Sequence, residues 1–255
     1  MTITLSPDEI QLSAPVNLRD LGGIPVAGGT VAHGFAIRAD DLTTIPAASA
    51  QELVDAGLTA VIDLRSRGEV EATGRGALQQ HAVTYHHIPF VTDLSSNKAP
   101  QSKPGTMPNM TAFYPALFTS AAPQIVAALA VLAHAQGTVA FHCAAGRDRT
   151  GVLAAALLLA LGAEDEAIIT DYERTHPNTE AIMERTRPNL RRVMLAAGFD
   201  LDAAAKLATQ QPGADDAMRV TLTTLRAQYG DPLAPLKSAG LSDSLIGQLH
   251  ERAGV

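Results

Sequence analysis

The spacing of apolar residues predicts strands that alternate with helices, followed by a helical second half. The clearest strand is 58–64, a continuous apolar run rich in β-branched residues, as expected where both faces of a strand are buried. The other elements predicted before residue 164 are, in chain order, a hairpin at 26–31, a strand at 35–38, a helix at 46–56 that ends at Gly57, a strand at 83–90, a loop at 91–110, a helix at 122–135, a strand at 138–142 and a buried helix at 150–161.

From residue 164 to residue 255 the pattern is helical, and the prolines Pro188, Pro212, Pro232 and Pro235 are expected to break it into short helices. The sequence contains no internal repeat and no clear linker. Strands that alternate with helices and are followed by a helical tail indicate an α/β fold. We expect one domain over 1–255, with a central mixed β-sheet of about four or five strands flanked by helices.

Composition excludes several classes of protein. The chain has 255 residues and a formal net charge of −7, which argues against nucleic acid as a partner. The longest apolar run, 152–161, is about half as long as a membrane-spanning helix, and the N-terminus lacks the features of a secretory signal. We therefore expect no membrane span and a cytoplasmic location, with export by a route without a signal peptide left open. The single cysteine allows no internal disulfide and no structural zinc site built on cysteines.

The chemistry is concentrated in the sequence VAFHCAAGRDRTG at 139–151. A predicted strand leads to Cys143, Arg149 follows in a C-x5-R spacing, and a buried helix is expected from Thr150. A loop before a helix can point its backbone N–H groups inward, and the helix dipole adds positive potential, so a tetrahedral phosphate dianion fits there. The same field favours the thiolate of Cys143, which would make it a nucleophile.

The other positions of this loop also have predicted roles. Ala144 and Ala145 are small enough to let the backbone approach a phosphate, and Gly146 can adopt a conformation closed to other residues. Arg149 offers a planar fork for two phosphate oxygens in the ground state and in the transition state. The Thr150 hydroxyl can donate to the sulfur when it leaves the phosphoenzyme.

An alternative for the segment is a buried structural cysteine beside two surface arginines, because the C-x5-R spacing alone recurs by chance. The preceding strand, the internal glycine, the Arg-Thr-Gly that follows and the apolar helix together favour the phosphate loop. His142 has two interpretations that the sequence does not separate. It helps to hold the thiolate, or it is a core histidine satisfied by backbone groups.

The sequence HCAAGRDRTG resembles the signature loop of the cysteine-dependent protein tyrosine phosphatases, in particular the bacterial branch that includes mycobacterial tyrosine phosphatases and tyrosine-lipid phosphatases. Further segments that resemble this family are NLRDLGG at 17–23, RAD at 38–40, DLRS at 63–66 with Glu69, HIPF at 87–90 with Asp93, and 236–241. The resemblance thus covers nearly the whole chain. Ala39 replaces the serine of the family's Arg-Ser element, and Arg147 stands where the family usually has lysine, so a planar fork replaces a point charge.

A leaving alkoxide or phenolate needs a proton, so a carboxylic acid is expected opposite Cys143. Asp93 is our first candidate because it opens the predicted loop and matches the family's general acid, although one extra residue separates it from Phe90. An ordinary solvated aspartate is the alternative for Asp93. Asp148, inside the phosphate loop, is the rival candidate for the acid. The alternative interpretation of Asp148 is that it caps the following helix or pairs with an arginine.

Arginines are concentrated in one stretch of this otherwise acidic protein, namely Arg174, Arg185, Arg187, Arg191 and Arg192. The resemblance implies a helical lid over the active site within 175–220, whereas the residues alone fit a solvated helix face equally well. Ion pairs around the loop are expected from Arg19, Asp20, Arg38, Asp63 and Arg65. Of these, Arg38 is the one expected to touch the substrate.

The sequence therefore predicts a protein-tyrosine phosphatase with a phosphorylated protein or a phosphoinositide as substrate, and with no metal and no organic cofactor. The predicted catalytic residues are Cys143, Arg149, Asp93, Asp148 and Thr150. The predicted substrate-binding residues are Ala144, Ala145, Gly146, Arg147, Asp148 and Arg38. The alternative from another class is a catalytically weak module that binds phosphotyrosine or phosphoinositides. The oligomeric state is not predicted.

Overall fold

The computed structural model of the chain describes residues 12–91, 109–196 and 216–255. Its strands are β1 (Arg19–Asp20), β2 (Pro25–Val26), β3 (Gly29–Thr30), β4 (Ala36–Ala39), β5 (Leu58–Asp63), β6 (Thr84–His87) and β7 (Thr138–His142). Five of them form one sheet in the order β1-β4-β7-β5-β6, in which β1 is antiparallel to β4 and the other neighbours are parallel. The predicted mixed sheet is thereby confirmed, and β2 and β3 form the predicted hairpin.

The helices that pack around this sheet are α1 (Ala47–Asp55), α2 (Arg67–Thr73), α3 (Met110–Ser120), α4 (Ala122–His134), α5 (Asp148–Ala160), α6 (Asp165–Glu173), α7 (Thr179–Ala196), α8 (Ala217–Tyr229), α9 (Ala234–Ser238) and α10 (Asp243–Ala253). Three short 3-10 helices span Leu42–Thr44, Ala77–Gln80 and His176–Asn178. Within the described ranges, no single helix is long and apolar enough to cross a bilayer; α3 and α4, bent by 71° at their break, reach that length and composition only as a pair.

The helix α5 lies in the larger of two apolar cores. All its residues from position 150 to position 160 are buried, and it contacts β4, β7, α3, α4 and α6. Successive residues of a strand face opposite sides of a sheet. Accordingly, Val139 and Phe141 of β7 belong to this core, whereas Ala140 belongs to the smaller core on the side of α1. The strand β7 is thus covered on both faces, which fixes the position of the segment that follows it.

Two predicted boundaries need correction. The strand predicted at 83–90 is limited to β6, because its one neighbour, β5, ends at Asp63, which pairs with His87. The helix predicted from Thr150 begins two residues earlier, so Asp148 already belongs to α5.

Two predictions about helices were wrong. Met110, placed at the end of the predicted loop, begins α3, and no element was predicted for residues 111–120. Pro188 does not break the helical pattern, because α7 continues through it. Of the loop predicted at 91–110, residues 92–108 lie outside the described part of the chain.

Candidate active site

The segment between β7 and α5 forms a tight loop at the carboxyl end of the central strand. All five residues of β7 are buried, and Cys143, the next residue, is only 1 % exposed. Arg147 is the N-cap of α5, and Asp148 is its first residue. The loop therefore lies at the positive end of the α5 dipole, where an anion is stabilised.

Three carbonyl groups of the loop accept hydrogen bonds from neighbouring segments. The side-chain amide of Asn17 donates to the carbonyls of Ala145 and Gly146 at 3.2 Å each, and the backbone N–H of Asp41 donates to the Ala144 carbonyl at 3.1 Å. In a trans peptide the N–H points opposite to the C=O. The N–H that follows each of these carbonyls therefore faces away from the donors. The N–H groups of residues 145–147 therefore lie on the opposite side of the loop, which is compatible with the predicted anion cradle; that role stays a prediction.

Gly146 allows this loop to pass close to the end of β4. Its φ angle is +66°, in the left-handed region, and it is buried against the backbone of Ala39 and Asp40. A side chain at this position would be strained by the φ angle and would also collide with β4. The expectation that Gly146 adopts a conformation closed to other residues is confirmed.

Behind the loop, two buried arginines share one carboxylate. Asp171 of α6 accepts hydrogen bonds from Nε of Arg19, at 2.9 Å, and from Nη1 of Arg38. Burial alone would raise the pKa of Asp171, but the two guanidinium groups outweigh it and hold the pKa below its usual value. Burial, together with the charge of Arg38, lowers the pKa of Arg19 to about 10. Asp171 and Arg19 are thus charged at neutral pH.

Arg38 supports the loop from behind instead of meeting a substrate. It has no exposed surface, and its Nη2 donates to the Gly146 carbonyl at 2.9 Å. The expectation that Arg38 touches the substrate is therefore corrected. The physical reason is its ion pair with Asp171, which draws the guanidinium group into the core.

Arg149 is held by a bidentate ion pair with Glu69. Its Nη1 and Nη2 donate to the two carboxylate oxygens at 2.6 and 2.8 Å. Glu69 lies in the first turn of α2, where it forms a capping box with Ser66. Burial would raise the pKa of Glu69, but Arg149 and the bonds from Ser66 lower it to about 2. Burial alone would lower the pKa of Arg149, but the charges of Glu69 and Cys143 outweigh burial and raise the pKa above its usual value. The plane of the guanidinium group is thereby fixed beside the loop.

Thr150 and His142 flank the loop inside the core. The Thr150 hydroxyl is buried and has no hydrogen-bond partner among the described residues, which is compatible with donation to sulfur; that role stays a prediction. The His142 ring is completely buried, with Nδ1 3.1 Å from the carbonyl oxygen of Cys143 and Nε2 3.8 Å from a carboxylate oxygen of Asp63. These neighbours favour the interpretation of His142 as a core residue.

The two charged residues of the loop, Arg147 and Asp148, contact buried tyrosines. The Tyr114 hydroxyl donates to Asp148, and Nε of Arg147 donates to the Tyr172 hydroxyl at 3.3 Å. Burial, and then the charge of Asp148, raise the pKa of Tyr114 well above its usual value, so this hydroxyl is a donor at neutral pH. Asp148 does not cap a helix that starts at Thr150, as one interpretation held. It lies in the first turn of α5, where the helix dipole favours its charge.

The predicted ion-paired scaffold is confirmed for Asp63 and Arg65 as well as for Arg19 and Arg38. Nη2 of Arg65 donates to Asp63 at 2.7 Å in a fully buried pair. Burial opposes the charge of Asp63, but the neighbouring histidine and Arg65 hold its pKa well below the usual range. Asp20, in contrast, accepts from backbone N–H groups and lies beside an exposed histidine.

Arg185 ties α7 to the segment that supports the loop. Its Nη1 donates to Asp40 at 2.7 Å, and its Nη2 donates to the Asp41 carbonyl at 2.8 Å and to the Thr44 hydroxyl at 2.9 Å. Asp40 in turn accepts from the backbone N–H of Asn17, the residue that holds two loop carbonyls. A connected set of polar contacts therefore leads from α7 to the phosphate loop.

Some of the predicted site lies outside the described residues. Asp93 is among residues 92–108, and the middle of the predicted lid is among residues 197–215. Within the rest of 175–220, α7 is anchored by Arg185. Ala217 and Met218 in the first turn of α8 are buried in the core, and α8 contacts α3. The acid role of Asp93 and the lid therefore stay predictions.

Sequence reasoning missed Asp171, Tyr114 and Tyr172, and it included Asn17 only as part of a motif. Asp171 and Tyr172 lie on a mostly polar helix, where nothing in the local pattern distinguishes them. Tyr114 had a signal, because it shares an apolar stripe with Met110 and other residues of α3.

A mixed sheet that delivers a cysteine to an N–H-lined loop, with an arginine in the C-x5-R position, defines the class of cysteine-dependent phosphatases. The chain belongs to the tyrosine phosphatase family, whose model matches residues 10–253. It is an enzyme of the protein-tyrosine phosphatase class, as the sequence predicts.

Similar proteins support this assignment. A putative tyrosine-protein phosphatase of Cupriavidus necator is 31 % identical over 224 residues, which covers 84 % of this chain and 73 % of the relative. The triple specificity protein phosphatase PtpB of Mycobacterium tuberculosis is 25 % identical over 277 residues, which covers 94 % of this chain and 97 % of PtpB. The solved structure of P. aeruginosa TpbA with phosphotyrosine covers 69 % of this chain and 86 % of TpbA, at 16 % identity and a TM-score of 0.35, and this distant likeness adds nothing to the assignment.

Proposed function

We propose that the enzyme hydrolyses phosphomonoesters in two steps through a cysteinyl-phosphate intermediate on Cys143. The observation that carries the proposal is the loop itself. Its carbonyls accept hydrogen bonds from Asn17 and Asp41, which leaves the N–H groups to face the opposite side, and Glu69 fixes Arg149 next to them. A phosphoryl group bound there meets N–H donors, a guanidinium fork and a sulfur nucleophile together.

In the first step the Cys143 thiolate attacks phosphorus in line, and the bond from phosphorus to the ester oxygen breaks. The leaving oxygen takes a proton from the carboxylic acid, for which Asp93 is our candidate and Asp148 the rival. In the second step the same carboxylate takes a proton from water, the resulting hydroxide attacks phosphorus, and the sulfur–phosphorus bond breaks. Arg149 and the loop N–H groups hold the phosphoryl oxygens throughout.

The test compares variants of the nucleophile and the arginine, with p-nitrophenyl phosphate as substrate and EDTA present. Cys143→Ser should abolish turnover and retain phosphate binding, because serine keeps the shape but is not ionised at neutral pH. Arg149→Ala should lose both turnover and binding. Vanadate should inhibit competitively because it occupies the same cradle. Metal-dependent turnover that survives Cys143→Ser would contradict the mechanism, and binding without turnover in the wild type would favour a binding module.

We propose phosphotyrosine and phosphoinositides as the substrates. Arg147 is partly exposed and adds a positive charge to the loop beyond the charge of Arg149, and PtpB of Mycobacterium tuberculosis, a relative, is named as a phosphatase of triple specificity. Arg185 adds no such charge, because it is buried in an ion pair with Asp40.

Arg147→Ala separates the two substrate classes. The kcat/KM of this variant should fall more for phosphoinositides than for p-nitrophenyl phosphate, since a phosphoinositide carries at least one anionic phosphate besides the reacting one and p-nitrophenyl phosphate carries none. A panel of phosphotyrosine, phosphoserine and phosphothreonine peptides and of mono- and polyphosphoinositides supplies the comparison. Equal losses on all substrates would mean that Arg147 only shapes the loop.

A further inference from the structure

Two tyrosines connect the charged residues of the phosphate loop. Tyr114 on α3 and Tyr172 on α6 are 0 % and 1 % exposed, and their hydroxyl oxygens lie 2.8 Å apart. The Tyr114 hydroxyl donates to Asp148, and Nε of Arg147 donates to the Tyr172 hydroxyl at 3.3 Å. The result is a chain of three hydrogen bonds that starts and ends at adjacent residues of the loop. We call it the tyrosine chain.

The chemistry of its ends gives the tyrosine chain one direction. A guanidinium N–H only donates, so the oxygen of Tyr172 accepts from Arg147. An ionised carboxylate only accepts, so Tyr114 donates to Asp148. The middle bond therefore runs from the Tyr172 hydroxyl to the Tyr114 oxygen. Bonds aligned in this way polarise one another in a buried environment, so each is stronger while the others are intact.

The core holds both tyrosine rings in place. The rings meet edge to face, with centroids 5.9 Å apart and an interplanar angle of 85°. Burial is the main reason why the pKa of Tyr114 and that of Tyr172 are raised, so both hydroxyls are protonated at neutral pH and able to donate. Because α3 and α6 both pack against α5, the tyrosine chain ties the side chains of the loop to the core.

We propose that Tyr114 and Tyr172 are positioning residues, which hold Arg147 and Asp148 in the orientation in which a substrate meets them. This inference rests on the proposed function, since it places Arg147 and Asp148 on the substrate side of the loop. Both tyrosines are buried and act through their loop partners. Loss of the Tyr172 hydroxyl releases Arg147 and weakens the remaining bond to Asp148, whereas loss of the Tyr114 hydroxyl releases Asp148 and weakens the remaining bond to Arg147.

The test is a set of double-mutant cycles in kcat/KM for p-nitrophenyl phosphate. Tyr114→Phe and Tyr172→Phe keep the rings and remove the hydroxyls, and each should lower kcat/KM about tenfold. In an Asp148→Ala background Tyr114→Phe should lower it by less than about twofold, because the acceptor of Tyr114 is already gone. Tyr172→Phe should keep the part of its effect that comes from the bond to Arg147 and lose the part that passes through Tyr114. The affinity for inorganic phosphate, measured by calorimetry, should show the same coupling without turnover.

Tyr85→Phe is the matched control. The Tyr85 hydroxyl donates to the Asp63 carboxylate at 2.9 Å, so this variant removes the same kind of bond at a position outside the tyrosine chain. Its effect on kcat/KM and on phosphate affinity should be the same with and without Asp148. Circular dichroism and melting temperatures establish that each variant is folded.

Each outcome bears on one proposal. In an active enzyme, hydroxyl deletions that have equal effects with and without Asp148 would overturn the tyrosine chain. Should Tyr114→Phe fail to fold, Tyr172→Phe combined with Asp148→Ala measures the same coupling across two bonds. A wild type that binds phosphate with the predicted coupling but never turns over would overturn the proposed function and leave the tyrosine chain supported.

Discussion

The backbone of Gly146 lies directly against the backbone of Ala39. A β-carbon built on the glycine stands 2.5 Å from the Ala39 carbonyl oxygen and 2.6 Å from its carbonyl carbon. Gly146→Ala must therefore push the phosphate loop away from β4 at a φ angle that alanine disfavours. We expect kcat/KM for p-nitrophenyl phosphate to fall at least about 100-fold and the free energy of unfolding by about 1–3 kcal/mol.

Gly68→Ala is the control for this substitution. Gly68 lies in α2, and a β-carbon there meets nothing within 4 Å. Alanine should therefore leave kcat/KM unchanged and raise the free energy of unfolding by about 0.5–1 kcal/mol. If Gly146→Ala behaved like Gly68→Ala in both measurements, the close approach to β4 would not matter to the loop.

Asp171→Asn should strongly destabilise the protein, because it leaves Arg19 and Arg38 facing each other without a counter-charge. Breaking a buried ion pair from one side costs about 3–5 kcal/mol, which urea unfolding followed by circular dichroism measures. The exposed pair between Glu166 and Arg219 provides the comparison, and Glu166→Gln should leave the urea midpoint unchanged. Similar small effects of both substitutions would mean that water screens the Asp171 cluster.

Glu69 should make the free energy of unfolding depend on pH in the acid range. Its pKa is lowered from 4.5 to about 2 in the folded state, because Arg149 overcomes the effect of burial. Its contribution, about 3 kcal/mol, is therefore complete above pH 4.5 and is lost as the pH falls toward 2. In Glu69→Gln that part of the acid dependence should be missing, and the variant should approach the wild type in stability near pH 2. Urea midpoints of the wild type and of Glu69→Gln at pH 6, 4 and 3 test this. A difference between the two midpoints that does not change with pH would contradict the prediction.

Arg185→Ala should loosen α7 without unfolding the sheet. The guanidinium group is nearly buried and bonds to Asp40, Asp41 and Thr44, so its loss frees the helix from the segment below it. Hydrogen exchange should rise at least about tenfold for amides of α7 and little for those of β7. The exposed Arg67, paired with Glu71 on its own helix, is the control, and Arg67→Ala should change neither region. Unchanged exchange in α7 after Arg185→Ala would assign its anchoring to other contacts.

The two candidate acids differ in how they respond to the leaving group. Asp93→Asn should slow hydrolysis of aryl phosphates with basic phenols far more than that of p-nitrophenyl phosphate, because a good leaving group departs without a proton. It should also flatten the alkaline limb of the kcat/KM–pH profile. Asp148→Asn, which alters the tyrosine chain, should lower kcat/KM by a similar factor for all leaving groups. The reverse pattern would assign the acid role to Asp148.

The phosphate loop could be predicted because its information is local. A buried strand, a short glycine-containing turn and an apolar helix follow one another within about twenty residues, and each has its own periodicity or composition. The same holds for β5, whose apolar run marks it as a central strand.

The helix α3 was missed although Met110, Tyr114, Leu117 and Phe118 are spaced as one helical face. Pro115 lies inside α3, as Pro188 lies inside α7, although proline removes one hydrogen bond from a helix interior. Burial of apolar side chains against α5 and α8 outweighs that loss in α3. A local sequence pattern does not show which other helices will pack against a segment.

The supports of the loop could not be predicted for a different reason. Arg19 and Asp171 are 152 positions apart, and the sequence between them carries no periodicity that would pair them. Arg38 shows the consequence. The sequence shows its charge, which suggested contact with the substrate, but the sequence does not show that the carboxylate of Asp171 holds Arg38 in the core. Ion pairs of this kind depend on topology, which places β1 beside β4 in the sheet and brings Asp171 of α6 within reach of both strands.

One carboxylate oxygen serves two structures at once. Oε2 of Glu69 accepts from the backbone N–H of Ser66, which closes the first turn of α2, and also from Nη1 of Arg149. Opening that turn and releasing the arginine are therefore the same local unfolding event. Such an opening needs less free energy than unfolding of the whole domain. We therefore expect heating to reduce activity by fraying this seven-residue helix before the sheet that leads to Cys143 unfolds.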